Sequence, residues 1–431
     1  MSSHDLESLS GSPLALLNIL LEPPLVDIPP RPQCEVCVVV PVRNEAEQIE
    51  ATLTALSAQI DGQGKPFDPN RYEVILLANN CTDDSAAIAH RFARKHPHFV
   101  LHVVEKTLPP SQAYIGRVRQ LLMDEGYRRL TALGRKNGAI ASTDGDSCVA
   151  PTWLAATLEE IGKGADAVGG RIVTNRADRA NLDPYTRACY LRAVGYNFLI
   201  SELEAYLDPD PFDPFPRHYQ HMGASLAVTA QMYGKAGGMP AVRTPEDIAF
   251  YRALMRVGAR FRHSLNVRVT TSARQMGRTE VGMANQLQRW AEMGQHHQAF
   301  YVESASALET RFRAKYALRA LHQRVLKKEV FPIQYIASLA RMLAIPPDWL
   351  IDKILQTQSF AWLFEEIEKC QQEQNVWQQR WPLVRIEDAI ASLRLRLAEF
   401  RANQPSSIPL YSTLSPKSVR GDRALSKIGY S

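Results

Sequence analysis

Cysteine is scarce in this chain. Six residues (Cys34, Cys37, Cys81, Cys148, Cys189 and Cys370) in 431 are too few and too scattered for a disulfide framework. Cys34 and Cys37 form a CxxC, yet no second Cys or Cys/His pair follows at zinc-ligand spacing. The pair therefore reads as small core residues of the strand it opens. A long apolar run is missing too. LALLNILL, near the N-terminus, has eight residues, against the roughly 20 that span a bilayer. The opening MSSHDLESLS carries acids where a signal peptide needs a basic region, so a soluble protein of the cytoplasm is expected. No GxGxxG follows the first strand, which excludes a dehydrogenase-type dinucleotide site. Charge of one sign is lacking as well: the net charge is +5 and the basic residues are spread out. That balance argues against a nucleic-acid partner.

What the chain does have is an ordinary globular composition, 45% apolar and 22% charged. Residues 1–33 end in EPPLVDIPPRPQ, which predicts an extended, linker-like approach. From Cys34 the pattern alternates. CEVCVVVPV is a continuous apolar run, as expected of a parallel strand buried on both faces. NEAEQIEATLTALSAQI then predicts a helix, with Asn44 as N-cap and Glu47 as its capping-box partner. Further strands are expected at 72–78, 99–104, 138–143 and 165–173, separated by helices. Such alternation predicts an α/β sheet, with ligands bound beyond the carboxyl ends of its strands. The polar clusters PVRNE, NNCTDD and TDGDS fall at those ends. Helices joined by the loop LDPDPFDPFPRHY are expected in 176–218, and strand character at ASLAV and ARFRHSLNVRVTTSAR. The chain beyond about 283 reads as helical, and the tail 403–431 as disordered and basic.

The chemistry concentrates at STDGDS. Two carboxylates two residues apart at a strand end repel each other unless a cation or solvent intervenes. Mg²⁺ and Mn²⁺ favour hard oxygen ligands, commonly one or two carboxylates plus phosphates and waters. Bridging a diphosphate, such an ion stabilises the charge that grows as a glycosidic bond to it breaks. Asp144 and Asp146 fit that task, and Gly145 permits a tight turn and close approach. A solvated turn is the alternative. In RTPEDIAFYRAL, Pro245 suits a first helical turn, so Glu246 and Asp247 lie at a helix N-terminus. That position suits a general base or plain dipole stabilisation.

Together, VVVPVRNE, ILLANNCTDDS, STDGDS and RTPEDIAFYRAL resemble, in order and spacing, the family-2 glycosyltransferases over about 34–300. The resemblance implies a GT-A type fold, a mostly parallel sheet flanked by helices; beyond it the pattern adds a helical C-terminal region (301–402). It implies a nucleotide-diphospho-sugar donor, with Pro41, Arg43, Glu45, Asn79, Asp83, Arg119, Asp144 and Gly145 around it. Asp146 is the implied metal ligand, with His263 as a late histidine near the metal or a structural strand residue. The cofactor implied is Mn²⁺ or Mg²⁺. Asp247 is the implied catalytic base, with Glu246 beside it as an acceptor or structural contact, if transfer is inverting. Asn79 departs from the family, which generally has an aspartate there; an amide both accepts and donates, so the base it reads is open. Asp83 falls on the family's other acidic position, the Thr82–Ser85 stretch equally suits helix capping, Glu45 suits a helix N-terminus, and Arg117 is the alternative to Arg119. QLQRW, Gln286 to Trp290, matches a pattern of processive synthases, but a buried Trp on an amphipathic helix explains it without polymer extrusion.

The expected activity is transfer of one sugar to a small or lipid-linked acceptor, with room for peripheral membrane contact. A nucleotidyltransferase would want a glycine-rich loop after the first strand, and PVRNEAE has none. A non-catalytic binding protein on the same sheet is the remaining rival.

Overall fold

The computed structural model describes residues 19, 22–243, 245–274, 282–329 and 332–403. The basic tail from 404 onward, and most of the first 21 residues, lie outside them. Strand β1 (Val36–Val42) is buried along its whole length. Its alternate residues serve two cores: Val36, Val38, Val40 and Val42 face one, Cys37 and Val39 the other. Strand β2 (Tyr72–Asn79) repeats this, with Val74 and Leu76 on the first side and Ile75 and Leu77 on the second. A strand buried on both faces has no polar side to alternate with, which is why both read as continuous apolar runs.

Eight strands form the main sheet, in the order β3-β2-β1-β4-β7-β6-β8-β5. The others are β3 (Leu101–Lys106), β4 (Ala139–Ser142), β5 (Ser147–Val149), β6 (Ala167–Thr174), β7 (Leu226–Thr229) and β8 (Phe261–Thr271). The pairs β1–β2, β1–β4, β2–β3 and β6–β8 are parallel; β4–β7, β6–β7 and β5–β8 are antiparallel. The sheet is thus mixed, with a parallel majority, and helices cover both faces. β4 and β5 are consecutive in the chain but have β7, β6 and β8 between them in the sheet. In a flat sheet four strand spacings would separate them by roughly 19 Å. The intervening Thr143–Asp146 is folded back, with Ser147 N donating to Asp144 O at 3.1 Å, so the sheet has to curl until its far edge meets the end of β4.

The proline-rich approach is not a free linker. Leu25 N donates to Glu125, and Arg128 and Arg129 donate to the carbonyls of Ile19, Glu22 and Ile28. This straps the segment along helix α3 (Ile115–Ala132). Helices α1 (Ile49–Ser57), α2 (Ser85–Lys95) and α4 (Trp153–Gly162) fill the other crossovers, and α5 (Arg176–Ala180), α6 (Pro184–Leu207) and α7 (Ala230–Lys235) follow.

The C-terminal region is helical, as expected, and holds a core of its own around Leu318, Leu339, Leu350 and Leu363. It is also sewn to the sheet region. Leu203 and Leu207 of the long helix Pro184–Leu207 pack with Leu308, Phe312, Leu393 and Leu397, and Arg256 pairs with Glu365. Trp290 of QLQRW is buried beside Leu287 and Leu182. Among the described residues, no helix is long and apolar enough to cross a membrane.

Cys34 and Cys37 are buried core residues, as expected. With Glu73 they make the one group of three metal-capable side chains close enough to share an ion among the described residues. Both Glu73 oxygens are held by Arg129, at 2.6 and 2.8 Å, so that carboxylate is already neutralised.

Candidate active site

The first loop of the site forms where β1 ends. Asn44 has φ +56°, a left-handed conformation that asparagine tolerates better than most residues. Its side chain accepts from Thr82 N at 2.7 Å and donates to Thr82 Oγ1 at 3.1 Å. The expected capping box is therefore not formed: α1 starts at Ile49, with Gln48 in the cap position and no side-chain cap. The reason is tertiary. Glu45 N donates to Ser85 Oγ (2.7 Å) and Ala46 N to Asp83 Oδ2 (3.0 Å), so the first free N–H groups are spent on the β2 loop. Asp83 also accepts from Ser85 N at 3.0 Å, which makes it the latch between these two loops.

Asn79, the last residue of β2, is 3% exposed, and its Oδ1 is buried without a hydrogen-bond partner. A buried acceptor left unpaired costs roughly 1–3 kcal/mol, so this position can take a donor N–H. Asn80 beside it is spoken for: it exchanges hydrogen bonds with both backbone groups of Leu108.

At the DGD turn, a Cβ on Gly145 would lie 3.1 Å from Val42, 3.2 Å from Glu45 and 3.3 Å from Pro41 O. Gly145 thus lets the β4 turn press against the β1 loop, and Thr52 Oγ1 fixes its carbonyl at 3.0 Å. Asp144 is partly exposed and accepts from Arg119 Nη2 at 2.9 Å. Asp146 is deeper, with 12% of its side chain exposed. Burial pushes its carboxyl up to about 6; the charges of Asp144 and Glu45 add to this, and Arg274 opposes it. The repulsion from Asp144 and Glu45 is the part that a divalent cation would relieve.

Two arginines organise the acids. Arg119 is 3% exposed. It donates to Asp144, to Gly223 O at 2.9 Å, to Ser142 Oγ and to Glu246 Oε1 at 3.3 Å. Burial opposes its charge, but Asp144 and Glu246 more than restore it. Arg117, the alternative, points away to Glu22 and Gln120. Arg274, which no motif marked, forks onto Glu45 at 2.8 and 2.9 Å and reaches Asp146 Oδ2 at 3.1 Å. Arg43 lies on the rim, donating to Ala113 O at 3.3 Å.

Helix α8 (Glu246–Arg256) begins one residue after its expected proline, with Pro245 in the cap position. Glu246 is buried against Arg119, and burial raises its pKa while Arg119 lowers it. Asp247 is more open. Its Oδ2 accepts from Gly223 N at 3.2 Å, while Gly223 O is held by Arg119. Ser142, Arg119 and Gly223 therefore connect the DGD turn to the two acids of this helix.

His263 is not brought to this place. It is the third residue of β8, whereas Thr271, whose Oγ1 lies 3.5 Å from Asp146 Oδ1, is the last. Its Nδ1 is 2.8 Å from Asp213 Oδ2, in a buried cluster with Arg217 and the rings of His218 and His221. Desolvation works against the Asp213 charge, but His263 and Arg217 hold its carboxyl well below the usual range.

Residues 37–121 match the family model described as Glycosyl transferase family 2. Glycosyltransferase AglE of Haloferax volcanii is 26% identical over 192 residues, 42% of this chain and 56% of that protein. The alignment thus covers just over half the length of this relative. Among solved structures, the mannosyltransferase PcManGT of Pyrobaculum calidifontis, in complex with GDP-Man and Mn²⁺, covers 89% of this chain and 92% of its own. It is 16% identical, with a TM-score of 0.39. S. aureus TarS 1-349 in complex with UDP-GlcNAc covers 79% and 92%, at 14% identity and a TM-score of 0.40.

Proposed function

We propose, from the family-2 glycosyltransferase segment at residues 37–121, that the chain moves one sugar from a nucleotide-diphospho-sugar to an acceptor hydroxyl. The observation that carries this reading is the Arg119–Gly223 link, which ties Asp144 of the DGD turn to Glu246 and Asp247 of α8. Asp146, with Asp144 beside it, is the fitting holder of Mn²⁺ or Mg²⁺: a hard, partly buried carboxylate with an excess of local negative charge. The ion would supply charge stabilisation to the departing diphosphate.

The residues of this chain do the rest. Asn79 offers an unpaired acceptor to a nucleobase N–H, and Glu45 with the Pro41–Arg43 turn borders the nucleoside. Asp247 is the general base. It takes the acceptor's hydroxyl proton as that oxygen bonds to the anomeric carbon and the bond to the diphosphate breaks, an inverting displacement. Glu246, buried on Arg119, positions rather than reacts. The acceptor is a small or lipid-linked molecule, and the cytoplasm is the compartment in which this donor chemistry fits.

A thermal-shift screen with Mn²⁺ against UDP, GDP, dTDP and their sugars tests the reading. At least one nucleotide should stabilise the fold. Asp146→Ala should abolish that stabilisation, and Asp247→Ala should keep it while losing turnover. No stabilisation by any nucleotide would sink the proposal. Turnover surviving in Asp247→Ala would overturn its assignment as base.

A further inference from the structure

Arg171 of β6 and Arg268 of β8 are direct partners in the parallel register. Paired residues in a sheet project from the same face, and like charges directly opposite each other are unfavourable. Their neighbours Ile172, Val267 and Val269 belong to the apolar core on the other side, so both guanidinium groups stand on the face turned away from it. Solvent reaches both. No carboxylate or other acceptor among the described residues answers either of them, in contrast to Arg119, Arg129, Arg262 and Arg274, which all hold carboxylates. Burial and then the charge of Arg268 both lower the Arg171 pKa. Sheet spacing puts the two backbones about 4.8 Å apart, a span that one tetrahedral anion bridges with a fork on each side.

The position along the strand matters as much. Arg268 lies three residues before Thr271, roughly 10 Å at strand rise, and Thr271 touches Asp146. An anion held by this pair would sit one or two sugar units from the reacting end of the sheet, away from Asn79 and the nucleoside loops.

We infer that Arg171 and Arg268 form a phosphate subsite for the acceptor, which carries a phosphate or diphosphate ester beyond the sugar that receives the new bond. This rests on the glycosyl-transfer reading above. The source of the phosphate, a soluble ester or a lipid-borne diphosphate, shares this chemistry.

The test titrates the full chain in EDTA with inorganic pyrophosphate, and separately with geranyl diphosphate, by calorimetry. Arg171→Gln/Arg268→Gln should weaken both at least tenfold, and Arg171→Lys/Arg268→Lys should recover part of the loss. Thermal stability without ligand should hold or rise in the Gln variant, because a like-charge pair is gone. Its stabilisation by Mn²⁺ with the nucleotide found above should stay within twofold. Geranyl diphosphate binding tighter than pyrophosphate, with the loss intact, assigns a lipid-borne source; equal affinity assigns a soluble ester. Unchanged affinity in the Gln variant, or no pyrophosphate binding by the native chain, overturns the subsite. Either result leaves the donor-site reading to its own nucleotide screen.

Discussion

Replacing Arg119 with methionine removes the cation while keeping most of the volume. Its two ion pairs then fail unequally. Glu246 has 7% of its side chain exposed and is left buried and unpaired; Asp144, at 33%, is answered by solvent. Breaking a buried pair from one side costs about 3–5 kcal/mol, whereas a partly exposed pair contributes under about 1 kcal/mol. Glu246 therefore sets the size of the effect, about 4 kcal/mol. Unfolding entropy near 2.1 cal/mol/K per residue, over 431 residues, turns this into a fall of about 4–5 °C in Tm.

The loss must also depend on pH. Burial already raises the Glu246 pKa and Arg119 restrains it, so the variant raises it further. A carboxyl whose folded pKa lies above its unfolded value is most favourable to folding below the unfolded value. That advantage is lost as pH rises through the folded one. The gap between wild type and Arg119→Met should thus be full at pH 8 and less than half as large at pH 4.5, by scanning calorimetry. Arg119→Lys should recover little, since an ammonium cannot fork onto four acceptors. A gap below about 1 °C at pH 8, or one that ignores pH, refutes the argument.

Asp146 offers a second test of the same electrostatics. Its carboxyl is raised from 3.8 to about 6, which by linkage is worth up to about 3 kcal/mol against folding at pH 8 and nothing below pH 3.8. Without metal, Asp146→Asn should melt higher than wild type at pH 8 and level with it near pH 4; a less stable variant at pH 8 contradicts this. Arg274 competes with any cation for Asp146 Oδ2. Arg274→Ala should accordingly tighten Mn²⁺ binding to the nucleotide-free chain about three- to tenfold, a Coulomb effect of roughly 1 kcal/mol. Weaker or unchanged binding by calorimetry removes the competition.

The parts of this molecule that can be read along the chain are those whose cause is local. The apolar runs at Val36–Val42 and Tyr72–Asn79 are strands because both faces are buried, and their limits fall within two residues of expectation. Ser147–Val149 gives no signal in the sequence, because three residues carry no periodicity and its pairing comes from β8. Asn44 looks like a helix cap in sequence; contact with Thr82, 38 residues away, makes it a left-handed turn instead. Arg274 ends a strand without any motif, and its partner Glu45 is 229 residues distant. His263 was expected near the metal or in a structural place, and Asp213 claims its ring for the second. Arg171 and Arg268 are ordinary strand arginines until register sets them face to face.

The sheet's curl bears on how the chain is made. β5, on the far side of the DGD turn, has one partner in the sheet, β8, more than 110 residues later. As the chain leaves the ribosome, β1, β2, β3 and β4 can associate early, all of them local parallel neighbours. The acidic turn they carry stays tethered at one end until β8 arrives. A fragment ending before residue 261 would hold every residue of the DGD motif and Arg119 beside Asp144, but neither the strand that anchors the turn nor Arg274, which pairs with Asp146.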